Sequence, residues 1–390
     1  MGYSKLQYLN ELIEGEIDAG EINGASVRVI HNNQVVWNEI FGYADKEKNI
    51  KTTKDTIYRM YSMSKPITAV AVMILYERGQ LDLLAPVSNY LEGFKNQKVL
   101  TKNGLIDPGR SVTIQDLLNM TSGVVYPDEN IETGRMMMKL FQEADERHYK
   151  GDPIGTVEFC NRIGQNPLEF SPGERWHYGA SADVLGAVVE VITKMKFSDF
   201  LKTEIFEPLG MVDTGFYVPE DKHSRFAQNY IFDWNVNSLV PFSDSFLATY
   251  DMTSPPGFES GGAGLVSTLD DYSKFASMLV NGGSLGNVHI LGRKTVEYLA
   301  TPQLTKEQAV SYNWDTQYGY SYGNLVRSMV EPVKAKSNGS IGEFGWDGWT
   351  GNYFFVDPME NLCCIFMIQR GGFNNAAMRR RMRQIIYGAI

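Results

Sequence analysis

The stretch from Pro66 to Tyr76, PITAVAVMILY, constrains this chain more than any other: it reads as a helix with no polar face, and Gly79 stands just beyond it as a stop. A helix that is apolar all round has to be enclosed on every side. The run falls short of the roughly 18 apolar residues that a membrane span requires, and no longer run occurs elsewhere, so the chain itself must supply the enclosure. With 390 residues, 43% of them hydrophobic and 21% charged, it has an ordinary globular composition and enough length to do so.

The flanking sequence predicts what surrounds the helix. After an N-terminal segment with apolar residues at helical spacing, ASVRVIHNNQVVWNEIFGYAD reads as two strands joined by the turn His31-Asn32-Asn33-Gln34. From about residue 86 to 250, Pro, Gly and Asn break up a series of helical segments, among them VTIQDLLNMTSG, ADVLGAVVEVITK and FSDFLKTEIFEPLG. The remainder holds the helix DDYSKFASMLVNGG, the strand-like runs YFFVDP and LCCIFMIQR, and a basic amphipathic helix from about Ala376 to Tyr387. This order predicts an α/β sheet domain built from residues 1–85 and 251–390, with a mainly helical domain inserted over 86–250.

Ser62-Met63-Ser64-Lys65 opens the apolar helix. Residues three apart share a helical face, so Ser62 and Lys65 can touch, and Pro66 is tolerated because first-turn amides lack intrahelical partners. Those amides and the helix dipole favour negative charge, which lowers the cost of an alkoxide on Ser62. A lysine in a dry site loses proton affinity and can then accept the serine proton. Taken alone, a Ser-x-x-Lys spacing recurs by chance in chains of this length.

The context is more specific. DTIYRMYSMSKPITA resembles the nucleophile segment of class C β-lactamases, penicillin-binding proteins and the related family VIII carboxylesterases. VTIQDLLNMTSGV, FSPGERWHYGASADVLGAVVE, IFEPLGMVDTGF, SGGAGLVSTLDDYSKFASMLVNGG and FGWDGWTGNYFFVDP resemble further landmarks of that superfamily, in family order, across nearly the whole chain. The resemblance implies an antiparallel sheet flanked by helices and an acyl-enzyme on Ser62. It also implies a tyrosine at the second motif, here Tyr178 in Tyr178-Gly179-Ala180, beside the nucleophile. A phenol beside a lysine ammonium has its anion favoured, which would make Tyr178 a general base; His177 is a neighbour only. The third motif, usually Lys-Thr-Gly, corresponds to Trp346-Asp347-Gly348, as family VIII esterases place tryptophan there. Gly348 then lets the acyl group approach the strand, and the amide of Trp349 joins that of Ser62 as an oxyanion hole. Asp347 departs from the esterase pattern and either binds a substrate amine or points away from the cleft.

Trp346 in place of lysine, and Ala180 in place of the usual asparagine, weaken recognition of carboxylate-bearing β-lactams and D-alanyl peptides. The expectation is a carboxylesterase acting on small neutral esters or amides. The alternatives that share its machinery are a β-lactamase-like hydrolase, a D-amino-acid peptidase or amidase, an acyltransferase, and a sensor that acylates without turnover.

Other features point elsewhere or nowhere. Gly282-Gly283-Ser284-Leu285-Gly286 matches the Gly-x-Ser-x-Gly elbow but follows a helix, where the elbow needs a strand before it, and only His289 comes after it without an intervening acid. The histidines 31, 148, 177, 223 and 289 never pair at metal-ligand spacing, so no metal and no cofactor is expected. Cys160, Cys363 and Cys364 make no disulfide framework and read as reduced, buried small hydrophobes. Arg379-Arg380-Arg381-Met382-Arg383 reads as the solvated face of the last helix. The 36 Lys and Arg against 46 Asp and Glu give a net charge of -10, which disfavours nucleic acid and acidic membranes as partners. The acid-bearing N-terminus lacks the form of a signal peptide, so the chain is expected to be cytoplasmic, its partner a small ester or amide.

Overall fold

The computed structural model describes residues 2–243, 245, 247–373 and 376–390. Among these, the main sheet has eight strands: β1 (Gly24–His31), β2 (Gln34–Asp45), β3 (Ile50–Lys51), β4 (Tyr320–Gly323), β5 (Val326–Met329), β6 (Phe344–Asp347), β7 (Tyr353–Asp357) and β8 (Leu362–Met367). Their order across the sheet is β4-β5-β6-β7-β8-β1-β2-β3, with every neighbouring pair antiparallel. The β1–β2 hairpin turns at Asn32 and Asn33, both with positive φ (52° and 61°), the left-handed pair that a two-residue hairpin turn needs and that asparagine tolerates.

The centre of the sheet is buried on both faces, which is why β7 and β8 read as unbroken apolar runs, whereas β3 and much of β2 are exposed or half-buried. Alternation sends Leu362, Cys364 and Phe366 to one face, against α1 (Tyr8–Asp18) and the C-terminal helix. Cys363, Ile365 and Met367 face the other way. There they meet the cluster that contains α2 (Ser64–Glu77) and α4 (Leu269–Val280), the latter packed on β7, β8 and β1. The three cysteines are buried free thiols. α2 is enclosed as its composition demands: every residue from Ser64 to Leu75 is buried, and α3 (Ser181–Thr193) packs beside it.

Between the two parts of the sheet the chain is helical at 132–149, 156–165, 181–193 and 197–201, but it also forms hairpins that its composition hides, Val99–Thr101 with Gly104–Ile106 and Tyr230–Asp233 with Ser238–Pro241. One hydrophobic cluster runs from these helices into the sheet without a break. The terminal helix α5 spans Ala376–Tyr387. Here the expectation of a solvated arginine face is corrected. Arg379 and Arg383 are buried, Arg379 ion-paired with Asp347 and Arg383 with Glu343 at 2.6 Å; Arg380 and Arg381 alone are exposed. An arginine can turn inward where a carboxylate waits for it. No helix among the described residues is long and apolar enough to cross a membrane.

Candidate active site

Ser62 does not lie in α2 but in the 3-10 turn Tyr61–Met63 that feeds it, and Tyr61 just before it has a left-handed φ of 45°. Such backbone strain in a non-glycine residue is retained only where the surroundings impose it. The surroundings are explicit. The carbonyl of Arg59 accepts hydrogen bonds from Asn352 Nδ2 (2.7 Å), Gln369 Nε2 (3.0 Å) and Thr350 Oγ1 (3.3 Å), which lock the turn after β6 onto the segment leading to Ser62. Gly348 sits so close that a Cβ there would lie 2.5 Å from the carbonyl oxygen of Met60. The turn thereby brings Trp349 to the same cavity as Ser62.

Lys65, fully buried in the first turn of α2, points its Nζ at Ser62 Oγ (3.2 Å), Tyr126 OH (3.1 Å) and the Gly262 carbonyl (2.8 Å). Burial pulls the ammonium down to a pKa of about 7 against the opposing pull of Asp183 and then Asp347. Asp183, on α3, is itself buried and pushed up by burial. Lys65 offsets that shift, as do bonds from Ser260 Oγ (2.5 Å), Gly262 N–H (3.0 Å) and Tyr126 OH (3.3 Å). Gly262 has no room for a side chain, since a Cβ would meet Tyr126 OH at 2.5 Å and Asp183 Oδ2 at 2.8 Å.

A neutral lysine has two N–H donors and one lone pair. Gly262 O takes one donor, and Tyr126 OH, which spends its own proton on Asp183, takes the other. The lone pair is left for the hydrogen of Ser62. Neither Tyr126 nor Asp183 is given a role by the sequence alone, although Tyr126 lies just after the landmark VTIQDLLNMTSGV and Asp183 inside FSPGERWHYGASADVLGAVVE; they are brought to Lys65 by distance in space, not by offset along the chain.

Tyr178 also reaches the serine. Its hydroxyl is hydrogen-bonded with Ser62 and accepts from Trp346 Nε1 at 3.2 Å, and Lys65 Nζ lies 4.6 Å from the centre of its ring. The expectation of a favoured phenolate is corrected: burial pushes the Tyr178 phenol above its usual range, and the hydrogen bonds with Ser62 and Trp346 only partly oppose this. Burial thus acts on the two groups in opposite directions, lowering the pKa of Lys65 and raising that of Tyr178.

These residues open onto a cavity of about 690 Å³. Ser62, Tyr178, Trp346, Asp347, Gly348 and Trp349 all line it, with Met138, Phe141, Leu247, Trp314 and Phe373 among its apolar walls. Asp347 fulfils neither expectation made for it: it faces the cavity but is ion-paired with Arg379, with Arg327 4.0 Å away. His177 turns its ring toward Phe170. Ser284 lies far from this cleft, in the hairpin Ser284–Leu285 with Val288–His289, its Oγ bonded to His289 Nδ1 at 2.7 Å. A helix, α4, precedes it, so the nucleophile-elbow geometry is absent there.

Residues 9–388 match the family model described as Beta-lactamase. The chain belongs to the Beta-lactamase family. It is a serine hydrolase of that family, with the β-lactamase/transpeptidase-like fold. Among curated relatives it is similar to "Protein Rv1367c" of Mycobacterium tuberculosis, 30% identical over 90% of this chain and 87% of that one. It is also similar to "Esterase EstB" of Burkholderia gladioli, 29% identical over 88% of this chain and 85% of that one, which supports the relationship to family VIII esterases. Among solved structures, "EstCE1, a hydrolase with promiscuous acyltransferase activity" superimposes with a TM-score of 0.82 at 23% identity, over 99% of both chains, and shares the fold. For this Beta-lactamase family member the esterase and hydrolase relatives imply a small-molecule substrate.

Proposed function

We propose that this chain is a carboxylesterase acting on small neutral esters through an acyl-enzyme on Ser62. The observation that carries the reading is the position of Lys65 Nζ, 3.2 Å from Ser62 Oγ with a pKa drawn down to about 7, at the floor of a mostly apolar cleft. Neutral Lys65 takes the serine proton as Oγ attacks the ester carbonyl. The amides of Ser62 and Trp349 receive the negative charge that develops on the carbonyl oxygen. Tyr178, a neutral phenol bonded with Ser62, relays the proton from Lys65 to the departing alkoxide. The same pair then activates the water that cleaves the acyl-enzyme.

The walls support the choice of substrate. Trp346 carries no charge, and Arg379, the cation nearest to it on the cleft wall, is already neutralised by Asp347. An acyl group buried against Trp314, Trp346 and Phe141 gains from the area it removes from water, whereas among the described residues that line the cleft the one cation, Arg379, is ion-paired already with Asp347 and is poorly placed to receive a free carboxylate. The resemblance to an esterase, EstB, points the same way.

The test is labelling with a p-nitrophenyl ester or fluorophosphonate, peptide mapping of the adduct, and a kinetic panel of short acyl esters, D-alanyl peptides and cephalosporins. The adduct is expected on Ser62 and the highest kcat/KM on esters. An adduct elsewhere removes the mechanism, and a preference for carboxylate-bearing substrates removes the substrate assignment.

A further inference from the structure

Behind the Asp347–Arg379 pair lies a second cavity, of about 500 Å³, which shares that pair with the acyl cleft as a common wall. Its lining is unlike that of the cleft. Among the described residues, Arg327, Lys334, Lys336, Arg379, Arg380 and Arg383 converge on it from β5, from the turn after it and from α5.

The charges do not cancel. Six cations line the cavity, and the carboxylates lining it or paired with them are Asp315, Asp347, Glu343 and Glu331, which leaves two positive charges over. Nor are the hydrogen bonds complete. The buried Nη1 of Arg327, the Nε atoms of Arg379 and Arg383, and the hydroxyl of Tyr353 have no hydrogen-bond partner among the described residues. Arg327, Arg383 and Tyr353 are 2%, 6% and 3% exposed. A buried guanidinium N–H without an acceptor is costly, and a chain that keeps several around one water-sized-to-ligand-sized space has a shape and charge that an oxyanion completes. The acyl cleft offers the opposite chemistry, apolar walls and a neutralised cation, so the two cavities call for different ligands.

We propose that this chamber binds a phosphate-type dianion, as free phosphate or as the phosphoryl group of a small molecule, and that it communicates with the acyl cleft through Arg379. An anion that draws on Arg379 weakens its hold on Asp347, the neighbour of the tryptophan that donates to Tyr178.

Isothermal titration calorimetry with inorganic phosphate, against potassium chloride at equal ionic strength, tests the site directly. Saturable binding is expected, and Ser62→Ala should bind as the parent does, so the outcome does not depend on the esterase reading. Lys336→Glu and Arg380→Glu change exposed side chains that no catalytic step uses, and each should weaken phosphate binding by about tenfold or more. A phosphorylated ester with a KM below that of its unphosphorylated counterpart, an advantage lost in Lys336→Glu, would place the phosphoryl group on the substrate. A change in kcat on a neutral ester on adding phosphate, without competition, would make free phosphate the ligand. No saturable heat above the chloride control, or unchanged binding in both charge-reversed variants, overturns the proposal.

Discussion

The proposed base, Lys65, owes its lowered proton affinity to being dry. Its pKa near 7 means that kcat/KM for a neutral ester should climb as pH rises through about 7, where the ammonium gives up its proton. Asp183 holds that value up, so Asp183→Asn should move the limb to lower pH; a limb that stays in place would exclude Asp183 from the site's electrostatics. Trp346→Phe keeps an aromatic ring but removes the N–H that steadies Tyr178, and kcat should fall by about tenfold, the size of one hydrogen bond. Unchanged steady-state kinetics would make the indole a packing residue. The sequence made Ser62 and Lys65 legible because one turn of helix fixes their separation. It left Tyr126, Asp183 and the Gly262 carbonyl unmarked, since their meeting depends on how α2, α3 and two loops pack, which no spacing records. The upward push of burial on the Tyr178 phenol is unmarked for the same reason: neighbours can be read from motifs, but the depth of burial cannot.

Among the elements, the apolar period of α2 and the asparagine turn of the β1–β2 hairpin could be read directly, because each is a local rule. The small hairpins at 99–106 and 230–241 could not, lying as they do among stronger helical signals. The inward arginines of α5 were hidden by the convention that charge means surface. Arg383 balances Glu343, which is fully buried and also bonded to the hydroxyls of Tyr387 (2.9 Å) and Tyr320 (3.2 Å). Arg383→Met should lower stability by about 3–5 kcal/mol, as expected when one member of a buried ion pair is left alone, and adding Glu343→Gln should recover part of the loss. Thermal denaturation reads both; a single variant as stable as the parent would show that the pair holds α5 in place no better than apolar contact. The turn after β6 offers a second test. Gly348→Ala forces a methyl against the Met60 carbonyl and should displace Trp349, with kcat/KM falling by about 10²-fold, the scale of a lost oxyanion donor.

Across the whole molecule, β1 lies between β2, its neighbour in sequence, and β8, which pairs with it from Ser26 opposite Met367 to His31 opposite Leu362. The first helix and the last pack together on one face of the sheet, and Lys5 Nζ reaches the Gly388 carbonyl at 3.1 Å. Chains that stop short of Leu362 should therefore show no cooperative unfolding by circular dichroism, even though they contain Ser62, Lys65 and Tyr178. Native-like melting of such a fragment would mean that the sheet tolerates an open seam at its centre.

That seam has a consequence for biosynthesis. β1 leaves the ribosome before β8 and must wait, unpaired along one edge, while more than three hundred further residues are translated. Its exposed amides and carbonyls invite chaperone capture during that interval. The wait also acts as a safeguard: a nascent chain carries the proposed nucleophile, Ser62, well before the strand Leu362–Met367 exists to complete the sheet that the site is built on.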